Sequence, residues 1–333
     1  MMWLGLLTPS FAAGAWCGDQ LAVLEDDAVV LHDGDETVRY ALAEQPTALG
    51  WQPDCRRLAV SANQLVLYDF HFTEGDPKFR TILTDSQTSG TGPRGEELVW
   101  HAESVAYLEQ STRPELRILH TGTMAWVTVA ETTKPVTDIA LSGPRSGTFV
   151  LGEQMLWRFD PEKTVMSHYA KRVAVHPEGE AIEAPNHVLA VLGAPQPDPA
   201  WLIAMSGDGS RALIRQDPKA HGSFASVASD GSTTSFTIAP DPHRLDQGWA
   251  PDGSWLIGVQ GDRVVLDRGA GEVEILPFAL ANELAEVLVH PDGDRAALVR
   301  STGAIQVVEI DYASRSNTAA APIPPPMHIE TTP

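Results

Sequence analysis

The residues best suited to chemistry in this chain are two cysteines, eleven histidines and a large excess of carboxylates. Cys17 and Cys55 belong to no Cys-x-x-Cys pair and to no Cys/His ligand spacing, so they do not announce a zinc site. In an oxidising compartment they can pair as a disulfide; in a reducing one they are two buried thiols. Among the histidines, His168 with His176 and His71 near Asp69 come closest to pairs. None has the His-Glu-x-x-His spacing that puts two imidazoles on one helix face, and no metal site is assigned. The acidic pairs Asp33/Asp35 and Asp292/Asp294 lack the ligand-rich loop that calcium needs and read as solvated turns. No Gly-x-Ser-x-Gly elbow occurs, so no nucleophile is assigned. Gly90-Thr91-Gly92-Pro93-Arg94-Gly95 has the glycines of a phosphate loop but not its Lys-Ser/Thr ending, and reads as a surface loop. The sequence therefore names no catalytic, cofactor-binding or metal-binding residue.

Charge narrows the partners. The 333 residues carry 23 Lys+Arg against 44 Asp+Glu, a net charge of −21. That surplus argues against nucleic acid and anionic membrane, because the cations that would neutralise phosphates are missing. A hydrophobic content of 43% supports a packed core. No apolar stretch approaches the roughly 20 residues of a membrane span.

The elements that must position these residues are short strands in a repeat. Trp51-Gln52-Pro53-Asp54, Leu141-Ser142-Gly143-Pro144, Trp249-Ala250-Pro251-Asp252-Gly253 and Val289-His290-Pro291-Asp292-Gly293 each join an apolar strand end to a turn. Proline fixes φ, aspartate bonds its own backbone, and glycine accepts positive φ. Weaker copies are Val175-His176-Pro177-Glu178-Gly179 and Met205-Ser206-Gly207-Asp208-Gly209; His176 and His290 hold equivalent places before proline. Strand-ending aspartates follow the turn prolines at 69 − 53 = 16, 160 − 144 = 16 and 267 − 251 = 16 residues. Turns recur near 18, 53, 102, 144, 177, 207, 251 and 291, a mean step of (291 − 18)/7 = 39. That is the period of four-stranded propeller blades. The fold class is all-β: a β-propeller of four-stranded antiparallel blades. The short steps at 144–177 and 177–207 favour seven blades, with residues 171–240 as one blade carrying an insertion; eight is the alternative. Phe278 to Val287 is the best helical segment. Most of the nine tryptophans should pack between blades.

The motif apolar-x-Pro-Asp-Gly-x-x-apolar, as in Trp249 to Ile257 and Leu288 to Ala296, resembles the blades of TolB-type, WD-like propellers. The resemblance spans most of residues 16 to 312 and degenerates at Trp100-His101-Ala102-Glu103-Ser104. It implies the fold and carries no ligand residues with it.

Domain organisation follows. Residues 16–312 form the propeller and 313–333 a Pro-rich flexible tail. Residues 1–15 read as an export signal, with Ala13-Gly14-Ala15 at the cleavage position although no basic residue precedes the apolar run. The alternative is that Trp3 to Leu7 is the closing strand of the last blade. Cys17 and Cys55 lie one blade apart and are expected to link the first two blades. The longest insertion, His71 to Glu97, supplies partner-loop residues His71, Lys78, Arg80 and Arg94. The expected function is a non-enzymatic protein-binding scaffold of the periplasm or cell envelope, acting through an acidic loop-bearing face. The alternatives are an enzyme or small-ligand binder at the mouth of the central channel and a cytosolic sensor.

Overall fold

A computed structural model describes residues 14–310, apart from 71–77, 91–97, 217–223, 239–247, 279–280 and a few single positions. These residues form eight antiparallel sheets in chain order, one per blade: 14–41, 48–82, 88–131, 136–169, 172–195, 201–236, 248–275 and 284–309. Within each blade the strands pair in sequence order, first to fourth. Blade 3 has a short extra strand, Thr88–Ser89, beside its second strand, and blade 8 has three strands among the described residues.

The blade number corrects the expectation of seven. Residues 171–240 hold two blades, not one with an insertion. Blade 5 is compressed: its third and fourth strands are only Leu189–Val191 and Ala194–Pro195. Such short strands shorten the turn-to-turn step without removing a sheet. The helix read at 278–287 is also corrected. Only Ala281–Glu283 forms a single 3-10 turn, and Leu284–Val289 is the first strand of blade 8. Burial of Leu284, Val287 and Leu288 in the ring outweighs the helical propensity of the segment. Similarly, the insertion read at 71–97 contains the fourth strand of blade 2, Lys78–Ile82.

The core is a circle of inter-blade seams. Eight clusters of buried apolar side chains each bridge one neighbouring pair of blades, from blades 1–2 round to blades 8–1. First strands pack near one another around the axis from blade 1 to blade 6 and from blade 7 to blade 8, and that of blade 8 meets that of blade 1. Alternation explains the arrangement, since each blade is covered on both faces and its middle strands read as continuous apolar runs. The second strand of blade 3, Ser104–Glu109, is buried along its whole length.

Tryptophans tie the inner strands together. The indole N–H of Trp51 donates to the carbonyl of Ala15 at 3.1 Å, and that of Trp100 to Gly50 at 2.8 Å. Trp16 donates to Leu288 at 2.9 Å. In each case the inner strand of one blade bonds the inner strand of the blade before it. The third of these bonds spans the ring closure.

The first strand, Gly14–Cys17, includes two residues of the segment read as an export signal: Gly14 pairs with Val23 and Ala15 with Ala22. Residues 1–13 and 311–333 lie outside the described residues, and with them the closing-strand and tail readings.

Candidate functional site: an acidic ring of turns

Antiparallel order puts the turns between first and second strands, and between third and fourth, on one face of the ring. The first-to-second turns are nearest the axis. They come in two lengths. Blades 1, 3, 4 and 5 use two-residue turns, closed by the pairs Cys17↔Gln20, His101↔Ser104, Gly143↔Ser146 and His176↔Gly179. Blades 2, 6, 7 and 8 use four-residue turns, in which the third residue is Cys55, Gly209, Gly253 or Gly293. All four have positive φ, between 59° and 70°.

The second turn residue is Asp19, Asp54, Glu103, Arg145, Glu178, Asp208, Asp252 and Asp292, in blade order. Seven blades thus present a carboxylate at one equivalent place, and blade 4 presents an arginine. In blades 2, 6 and 7 the aspartate also closes its turn, accepting the N–H of Arg56, Ser210 or Ser254 at 2.8–3.1 Å. Glu103 and Glu178 sit in two-residue turns that require no such bond. Acid is present there without a turn role.

The electrostatics keep two of these groups ionised. Hydrogen bonds from the Arg295 guanidinium, with its charge, hold Asp19 below the ordinary carboxylate range. At Asp208, burial alone would raise the pKa, but hydrogen bonds from the Ser210 amide and hydroxyl and from Ser206 outweigh it and hold the group low.

Four of the neighbouring pairs of turns are stitched together. His290 Nε2 bonds the carbonyl of Gly18 at 2.8 Å, and His176 Nε2 bonds that of Gly207 at 3.1 Å. In both imidazoles Nδ1 accepts a backbone N–H, from Asp292 or Glu178, at 3.2 Å. The repeated histidines therefore serve the blade. The Asp208 N–H donates to the carbonyl of Pro251 at 3.0 Å. Between blades 1 and 2 the stitch is covalent: Cys17 and Cys55 are bonded, with Cα atoms 5.5 Å apart.

Lys78 and Arg80, expected as partner-loop residues, stand on the fourth strand of blade 2, not in a loop, and are exposed. They border a cleft with Arg57 between blades 2 and 3. His71 and Arg94 lie outside the described residues. The sequence reading missed the ring itself, although the turn register Asp19, Asp54, Glu103, Glu178 could have shown it once the two turn lengths were separated.

An enzyme would bring histidine and carboxylate together at a channel mouth. On the turn face His290 lies against Asp294 and Asp292, and His120 against Glu103, with carboxylates open to solvent; the set with a fully buried carboxylate is at the opposite face between blades 5 and 6. Buried Glu183 accepts the His187 ring at 2.7 Å and the Leu202 N–H at 2.9 Å. Lys171 Nζ is 3.0 and 3.2 Å from the two nitrogens of that ring, so it lies over the ring face, and Trp201 packs beside it at 4.1 Å between centroids. Both carboxylate oxygens are used, one on the next blade, which is how Asp138 also ties blade 4 to the Val175 N–H of blade 5. The set is an inter-blade tie. Among the described residues no group of three or more His, Cys, Asp or Glu could hold a metal ion.

No family model and no curated protein sequence matches the chain. Solved structures do. A chain of Kuenenia stuttgartiensis hydrazine synthase aligns with a TM-score of 0.52 and 13% identity, over 93% of this chain and 99% of that one. A chain of a mitotic checkpoint complex aligns with a TM-score of 0.55 and 10% identity, over 91% of this chain and 88% of that one. At such identities the likeness is one of fold. The chain is a β-propeller.

Proposed function

We propose that this protein is a non-enzymatic scaffold that binds another protein on its acidic turn face. The observation that carries the reading is the carboxylate kept at one turn position in seven blades, including those where the turn does not need it. A ring of carboxylates in seven of eight blades gives complementarity and fast encounter with a basic surface, and it repels polyanions. The fold is consistent with such a role, and one of the similar chains is part of a mitotic checkpoint complex. The TolB-like blade motif points the same way, by analogy of fold alone. An exported, envelope location fits the Cys17–Cys55 bond, because such bonds persist in oxidising compartments.

The test is capture from native extract by the folded protein and by a variant carrying Asp54→Asn, Glu103→Gln, Glu178→Gln, Asp252→Asn and Asp292→Asn. A control variant neutralises Glu25, Asp27 and Asp262 on the opposite face. A partner held by wild type and control but released by the ring variant supports the proposal. A partner held equally by all three contradicts it.

A further inference from the structure

The acidic face has a cationic interruption away from the axis, independent of the turn ring. In a chain with 23 cations against 44 acids, Arg57, Lys78 and Arg80 converge on one cleft of about 330 Å³ between blades 2 and 3. Register explains the convergence. Arg57 opposes Asp69 across the second and third strands of blade 2, and Asp69 and Leu67 oppose Lys78 and Arg80 across the third and fourth. Alternation places all five on one face of the sheet. The far wall is Thr121 and Met124, from the hairpin joining the third and fourth strands of blade 3.

The innermost of the three cations is held in place. The Arg57 side chain is only 26% exposed; its Nη1 donates to Thr121 Oγ1 at 2.8 Å and its Nε to Asp69 Oδ2 at 3.4 Å. Among the described residues the cleft is lined by three cations and one carboxylate, Asp69. Arg80 has no ion-pair partner among the described residues.

We propose that this cleft binds the oxyanion head of a small phosphate or sulfate ester. Guanidinium groups match such oxygens geometrically and a lysine adds a point charge. A cleft of this volume is of the size that takes a small organic ligand, and Leu67 and Met124 offer apolar contact to its body. The surrounding net charge of −21 selects for size. Long polyanions extend beyond the cleft into repulsion, whereas one small head lies within a Debye length, about 8 Å at physiological salt, of the cations.

Calorimetric titration of the full chain at low ionic strength, with glycerol phosphate and with a simple alkyl sulfate, tests the site. Saturable one-site binding of at least one ester is expected. Arg80→Gln and Lys78→Gln should each weaken it about tenfold, the loss one charge-assisted contact carries. Both residues are exposed strand positions, and unchanged thermal unfolding would confirm the fold. Arg56→Gln, a neighbour outside the cleft, should bind as wild type does. The ester preferred tells phosphate from sulfate. Binding of neither ester, binding indifferent to Arg80→Gln and Lys78→Gln, or equal weakening by Arg56→Gln would overturn the assignment.

Discussion

Cys55 occupies the place that glycine holds in three other four-residue turns, with φ at 59°. A β-carbon is disfavoured in that conformation by roughly 1–2 kcal/mol. The residue is held there by its bond to Cys17. The two effects give a sign reversal. In the oxidised protein Cys55→Gly should destabilise, because it opens a loop of 38 residues worth about 3–4 kcal/mol in the chain-entropy model. In a Cys17→Ser background the same substitution should stabilise by about 1 kcal/mol, since glycine relieves the left-handed strain. Denaturant unfolding of the four proteins reads both. Tyr68 offers a second residue-scale outcome. Burial first, and the neighbouring Tyr40, push its hydroxyl up to about 12. A raised folded pKa means stability that is full below the unfolded value near 10 and lost as pH rises through 12. Absorbance titration should therefore leave Tyr68 protonated at pH 11, and Tyr68→Phe should remove that step from the alkaline limb of stability. Asp208 runs the other way. Its folded pKa is lowered, so its contribution is present above the unfolded value near 4 and lost as pH falls through the folded one. Asp208→Asn should flatten the acid limb of the stability curve.

At the scale of the element, the inner strand is the unit that repeats, and in blades 1, 2 and 3 its tryptophan ties it to the blade before. Trp51→Phe keeps an aromatic body but leaves the Ala15 carbonyl without its donor, and should cost about 1–2 kcal/mol in chemical unfolding. Trp126→Phe is the contrast. That indole is 49% exposed on an outer strand, where Arg117 lies over its ring at 4.2 Å, and its replacement should cost well under 1 kcal/mol. Gly50 shows how close the inner strands come: a β-carbon there would overlap the carbonyl oxygen of Leu98 on the next blade. Much of this was legible in the sequence. Pro-Asp-Gly and the 16-residue interval to Asp69, Asp160 and Asp267 reported turns and strand lengths, because turn geometry is local chemistry. Blade 5 was not legible, because strands as short as Ala194–Pro195 carry no alternation to read. The Lys78–Ile82 strand reads as loop in the sequence for a related reason. Its partner Leu65–Asp69 supplies the apolar side of the pair, and an outer strand facing water can be polar at nearly every position. The cleft that strand helps to form depends on two blades meeting, which no local pattern encodes.

At the scale of the whole molecule, the ring closes on the smallest core cluster among the described residues. The blade 8–1 seam buries Leu21, Val23, Leu288, Ala297 and Val299. Polar contacts supplement it: Trp16 to Leu288, His290 to Gly18, and the Arg295–Asp19 pair. The seam should be the first place to open. In native-state hydrogen exchange, His290→Leu should speed the amides of residues 21–24 and 296–299 ahead of those in blades 3 and 4. On the same scale the turn ring is one object, a charged mouth rather than seven separate acids, and its binding should follow the rules of such fields. The direct measurement is the ionic-strength dependence of the partner's affinity for wild type and for the five-fold ring variant. Wild-type affinity should fall steeply with added salt, by tenfold or more between about 50 and 200 mM, while the variant should bind more weakly with a nearly flat dependence. An affinity that salt does not change, or a variant as salt-sensitive as wild type, would contradict the assignment of the acidic ring as the binding face.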